Sequence, residues 1–108
     1  MDMVARGEVW LVRFDPTIGS EIQKTRPAVV VSPPEIHDYL RTTIVAALTS
    51  KNHFTRYRIP LHFSGRDGLI LLDQIRAVDK SRLIRKLGEV EPETLHVTLK
   101  TLSSLFAP

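Results

Sequence analysis

The chain contains no cysteine. That excludes a disulfide framework, a thiolate metal site and a cysteine nucleophile, and it is a composition that a reducing compartment permits. No run approaches the roughly 18 apolar residues that a membrane span needs. The N-terminus, Met1-Asp2-Met3-Val4-Ala5-Arg6-Gly7-Glu8, lacks the basic stretch followed by an apolar one that marks a secretion signal. A soluble, cytoplasmic protein is the expectation. Internal repeats and low-complexity tracts are missing, as are the alternating helices of a doubly wound sheet. The four histidines, His37, His53, His62 and His96, show no metal-ligand spacing with a carboxylate, so neither a metal nor another cofactor is expected.

What is present is 108 residues, read as one domain over 1–108 with a single core. The net charge is +3, and ten of the fifteen basic residues are arginine, whose planar fork suits phosphate. The charge is uneven: the chain before Glu89 holds 14 basic and 9 acidic residues, a net +5. That points toward an anionic partner, although a charge this modest also suits an ordinary solvated surface.

Gly7 to Asp15 is rich in β formers, with Trp10, Val12 and Phe14 on one face and Val9, Leu11 and Arg13 on the other. Pro16 ends that strand. The polar loop that follows runs to Thr25, about ten residues, where hairpin loops usually take two to five, so it is read as functional. It feeds Arg26-Pro27 into Ala28-Val29-Val30-Val31, a β-branched run suited to a core strand. Pro27 biases Arg26 toward extended backbone, so a charged fork projects from a defined point.

After Pro33-Pro34, one helical turn is expected within Glu35 to Arg41, then a buried strand over Thr42 to Ser50. Arg58 to Phe63 holds Pro60, which argues for an edge strand or a bulge. Ser64 to Gly68 reads as a turn, Leu69 to Leu72 resumes the sheet and passes through Asp73-Gln74 into Ile75 to Val78, and a final strand is expected near Ile84 to Val90. A closing helix over Pro92 to Phe106 aligns Leu95, Leu99, Leu102 and Leu105/Phe106 on a face that must pack against the sheet. Pro92 and Glu93 mark its start. The sum is mainly β with α: six or so strands in a strongly bent antiparallel sheet, a small barrel with a C-terminal helix.

Four separated blocks then carry a resemblance. They are Arg6-Gly7-Glu8-Val9-Trp10 with Phe14-Asp15-Pro16; Gly19-Ser20-Glu21 with Arg26-Pro27-Ala28-Val29-Val30-Val31-Ser32-Pro33; Ile44-Val45-Ala46-Ala47-Leu48-Thr49; and Leu71-Leu72-Asp73-Gln74-Ile75-Arg76. In this order and at these distances the chain resembles the MazF/PemK/Kid-type toxins of bacterial toxin–antitoxin pairs, over nearly its whole length.

The resemblance implies an SH3-like barrel, a homodimer with an RNA groove at the subunit junction, and a cognate antitoxin with an acidic, disordered inhibitory segment. It also implies metal-independent, sequence-selective cleavage of single-stranded RNA by the ribose 2′-OH, leaving a 2′,3′-cyclic phosphate and a 5′-OH. Arg26 matches the family's principal catalytic cation, which would oppose charge building on phosphorus. Thr49 matches its second catalytic position, a hydroxyl, and is preferred to the adjacent Ser50 because strand neighbours face opposite ways. Glu21 matches a retained carboxylate that can accept the 2′-OH proton or hold Arg26. Gln74, Ser20, Ser50, Lys24 and Arg76 are the expected RNA-binding residues.

Taken alone, these residues also have plainer readings: Arg26 as a rim arginine, Thr49 as a strand-end hydroxyl bonded to its own backbone. Trp10 and Phe14 could stack bases, but alternating strand aromatics are more often core. His53, just past Thr49, is the histidine that could join the chemistry. One departure stands out, because Ile22-Gln23-Lys24-Thr25 occupies a stretch where many relatives have glycines. The alternative function is a non-catalytic toxin or nucleic-acid-binding module of the same fold, for example one directed at gyrase.

Overall fold

The computed structural model describes residues 3–50 and 54–108. His53 therefore lies outside the described residues. The strands are β1 (Glu8–Arg13), β2 (Thr25–Val30), β3 (Thr42–Thr49), β4 (Arg58–Phe63), β5 (Arg66–Leu71), β6 (Arg76–Asp79) and β7 (Leu83–Glu89). The helices are α1 (Pro34–His37) and α2 (Pro92–Leu105), with 3-10 turns at Leu72–Gln74 and Lys80–Arg82. One sheet of seven strands runs in the order β4-β5-β3-β2-β1-β7, every pair antiparallel, and β6 adds to β3.

The sheet is curled because β3 shares one edge between two strands. Its first half pairs with β6, Thr42↔Asp79 through Val45↔Arg76, and its last two residues pair with β5, Leu48↔Ile70 and Thr49↔Leu69. The chain changes direction between those partners at Leu72–Gln74. β1 bends as well, with register shifts against β7 on either side of Trp10-Leu11. These breaks turn a sheet into a half-closed barrel.

Alternation along β2 and β3 divides the core in two. Ala28, Val30, Val45 and Ala47 join Val12, Phe14, Leu71, Val78 and Leu83 in one cluster, while Val29, Val31, Ala46 and Leu48 join Val9, Ile59, Ile70 and Leu72 in the other. Both faces of the central strands are thus buried, which is why their sequence shows an unbroken apolar run. Burying a Val side chain contributes about 1.5–3 kcal/mol, so the centre of this sheet is its most stable part.

The expected strand faces and the edge position of Pro60 hold. Three expectations are corrected. The β4–β5 turn is Ser64-Gly65 alone, both with positive φ (54° and 79°), and β5 already begins at Arg66. That is the backbone a two-residue hairpin turn needs to match strand twist. Among the described residues there are seven strands, because Leu69 to Val78 is split by the 3-10 turn. The face of α2 is only partly covered: Leu102 packs on the second cluster and Thr98 is fully buried, whereas Phe106 is 70% exposed. Among the described residues no helix is long and apolar enough to cross a membrane.

Candidate active site

The last paired positions of β2 and β3 include Ala28↔Ala47. Continued two residues further, that register sets Arg26 across from Thr49, on the side of the sheet that faces the first core cluster. Both residues line two neighbouring clefts of about 500 Å³ and 760 Å³. Arg26 stands at the start of β2 opposite Val12, half-buried, and Thr49 closes β3, 8% exposed. The Arg26 Nε–H donates to the Gln23 carbonyl at 3.3 Å, and among the described residues no carboxylate pairs with its guanidinium. Its charge is therefore presented to the clefts.

The second cleft adds Ser20, Glu21, Lys24 and Gln74. A third, about 630 Å³, shares Ser20, Glu21 and Gln74 and reaches Arg76. Ser50 lines the first cleft with Arg26 and Thr49. All the candidates thus fall along one concave surface. Ser50 shares it despite the expected alternation, because it lies beyond the end of β3, where strand geometry no longer decides direction.

Three hydrogen bonds hold the loop that carries Ser20 to Lys24. The Gln74 Oε1 accepts from the Ile22 N–H at 2.8 Å, the Asp15 Oδ1 accepts from the Lys24 N–H at 2.9 Å, and the Phe14 N–H donates to the Lys24 carbonyl at 2.8 Å. Ile22 also packs against the first core cluster. Lys24 adopts φ 64°, a left-handed conformation that costs a non-glycine residue on the order of 1–2 kcal/mol. The departure from glycine therefore gives an anchored loop.

Glu21 is tied locally, its Oε1 accepting from the Ile18 N–H at 2.8 Å. No hydrogen bond or ion pair joins it to Arg26 among the described residues, so of the two roles expected for it, holding Arg26 is the one this geometry lacks. Arg76 donates to the Phe14 carbonyl at 3.4 Å and lies over the Phe14 ring at 5.7 Å, bracing the loop base from below.

The aromatic alternative is overturned for Phe14, which is fully buried in the first cluster. Trp10 packs against that cluster and donates its Nε1–H to the Glu8 Oε1 at 3.0 Å. No described histidine lines the three clefts. His37 is buried beside the Ser32 hydroxyl, His62 pairs with Asp67 on the β4–β5 hairpin, and His96 is exposed on α2.

Sequence reasoning missed the Arg58–Asp73 pair. Two bonds of 2.9 Å join the guanidinium to both carboxylate oxygens at the wall of the second cleft, next to Gln74. The Arg58 hydrogen bond holds the Asp73 carboxyl below its ordinary value against the opposing effect of burial. Its signal was Asp73 beside Gln74 in the Leu71 to Arg76 block; that a partner fifteen residues earlier would reach it was not visible.

The chain is similar to known proteins in both sequence and fold. Residues 5–106 match the family model of the PemK-like, MazF-like toxins of type II toxin–antitoxin systems. The chain is 35% identical over 106 residues to Endoribonuclease PemK of Escherichia coli, covering 93% of this chain and 80% of that one. It superposes on a crystal structure of MazF from Deinococcus radiodurans with a TM-score of 0.83 at 27% identity, over 94% of each chain. A MazE–MazF complex from the same organism matches with a TM-score of 0.77 at 25% identity, again over 94% of each chain. Matched over almost its full length in sequence and fold, the chain belongs to the PemK-like, MazF-like toxin family of type II toxin–antitoxin systems.

Proposed function

We propose that this toxin is a cytoplasmic, metal-independent, sequence-selective endoribonuclease that cuts single-stranded RNA by attack of a ribose 2′-OH on the adjacent phosphate. The observation that carries this reading is that Arg26 and Thr49, on the paired strands β2 and β3, line the same two clefts. In the reaction the O2′–P bond forms, the P–O5′ bond breaks, the 2′-OH gives up its proton and the departing 5′ oxygen gains one. Negative charge grows on the phosphoryl oxygens, and a preorganised cation aimed at them gives the largest single gain. Arg26 supplies it. Thr49 donates its hydroxyl to a phosphoryl oxygen or orients the 2′-OH, and Glu21, which lines the same cleft, receives the proton.

Ser20, Ser50, Lys24, Gln74 and Arg76 line the path on either side and bind the RNA chain. Two copies of the chain form the working unit, and an acidic antitoxin segment occupies the electropositive groove, folding as it binds. The relative solved as a MazE–MazF complex supports that partner. A long mixed-sequence RNA incubated with the protein in EDTA tests the reading, with the ends mapped chemically. Cuts at a short recurring sequence, bearing 2′,3′-cyclic phosphate and 5′-OH ends, are expected. Uncut RNA under these conditions overturns it, and RNA that is bound but intact points to a non-catalytic module.

A further inference from the structure

Gly68 is the one glycine of the first cleft. Its φ is not in the left-handed range that calls for glycine, so conformational freedom does not explain it. Space does. A Cβ built on Gly68 falls 2.7 Å from the Thr49 carbonyl oxygen, where ordinary contact begins at 3.4 Å. The atom it meets is backbone, not the end of a flexible side chain.

We propose that Gly68 is a positioning residue: its bare α-carbon lets β5 close onto the end of β3 and thereby sets where the Thr49 hydroxyl stands opposite Arg26. This rests on the reading of Thr49 as a catalytic hydroxyl. The neighbouring pairing explains why the displacement would fall on Thr49. β5 is held along its whole length by β4, Arg58↔Leu71 through Phe63↔Arg66. It is joined to β3 only through Leu48↔Ile70 and Thr49↔Leu69, and Ile70 and Leu69 are buried. The Thr49 carbonyl belongs to the first peptide past that pairing, where β3 ends. A methyl group at Gly68 therefore forces β5 and the end of β3 apart by about 0.7 Å at this contact, the difference between 2.7 and 3.4 Å. A misplacement near 1 Å can lower a rate by about a hundredfold.

The test is a double-mutant cycle on single-turnover cleavage, with RNA KM and thermal melting measured beside it. Gly68→Ala should lower kcat roughly 10- to 100-fold, with KM within about twofold and a cooperative melt retained. In the Thr49→Val background the same change should cost almost nothing, because the hydroxyl it displaces is gone. In the Thr49→Ser background it should cost less than in the wild type, since serine lacks the methyl that stiffens χ1 and can re-seat its hydroxyl.

Equal losses in all three backgrounds, or a loss confined to KM, overturn the proposal. A wild-type rate in Thr49→Val overturns instead the reading on which it rests, whatever Gly68→Ala does. Should Gly68→Ala fail to fold, Gly68 serves the sheet and not Thr49, and the proposal falls.

Discussion

Arg26 and Thr49 stand on paired strands, whereas Ser20, Glu21 and Lys24 stand on a loop of the same cleft, and the two groups are held by different means. The strand pair is fixed by backbone register and by the core clusters directly beneath it. The loop group is fixed by side-chain acceptors, Gln74 reaching Ile22 from across the fold and Asp15 reaching Lys24 from the loop's own base. A register cannot slip by one residue without turning every side chain to the other face. A loop bond can be lost singly, at about 1 kcal/mol. On the proposed function, the strand pair is thus suited to the chemistry, and the loop to adjustable contact with RNA.

Changing the strand pair should produce the largest effect. Arg26→Ala is expected to reduce cleavage by at least 10²- to 10³-fold while the protein still folds, since the side chain lies outside both core clusters. Arg26→Lys should not restore the rate, because an ammonium lacks the planar fork. Cleavage by Arg26→Ala at the wild-type rate would remove the distinction between the two groups altogether.

A smaller effect should follow from releasing the loop. Gln74→Ala removes the acceptor for the Ile22 N–H, and a net hydrogen bond of about 1 kcal/mol corresponds to roughly a fivefold change in the held population. KM should rise several-fold with kcat less affected, and the Ile22 amide should exchange faster with solvent. Gln74→Glu keeps an acceptor oxygen and should preserve the Ile22 amide's protection. A Gln74→Ala protein whose Ile22 amide stays protected would show that Ile22 packing alone holds the loop.

The same division separates what the sequence made legible from what it did not. Strand faces could be read because burial repeats every second residue: Val12 and Phe14 reached one cluster and Val9 the other, as alternation required. Arg26 and Thr49 were legible as strand ends, and the family blocks supplied their pairing. The Arg58–Asp73 and Gln74–Ile22 contacts were not, because a side chain that crosses fifteen or fifty-two residues leaves no local pattern. The partial exposure of α2 was missed for a related reason. Helical periodicity identifies an apolar face, but how much of it is covered depends on where Gly7 and β4 lie beneath it.

The smallest effect belongs to the ion pair behind the loop, and its sign follows from linkage. Hydrogen bonding from Arg58 lowers the Asp73 carboxyl below its unfolded value of 3.8, with burial opposing. A carboxyl lowered in this way contributes stability that is present above the unfolded value and lost as pH falls through the folded one. Arg58 is 18% and Asp73 40% exposed, so solvent screens the pair and its contribution is on the order of 1 kcal/mol or less. Asp73→Asn should therefore melt a few degrees below the wild type at neutral pH, and the gap should close as pH falls below about 4. Glu8 is also lowered, because hydrogen bonds from Trp10, Ala5 and Lys86 outweigh the larger single influence of its burial. Glu8 acts in both proteins, so only the difference between their melting curves reports on Asp73. Because Asp73 shares the Leu72–Gln74 turn with the loop's anchor, Asp73→Asn should also raise KM, by less than Gln74→Ala does. A melting gap that stays constant down to pH 3 would mean that the substitution disturbs packing, leaving the carboxylate without a measurable part in holding the loop.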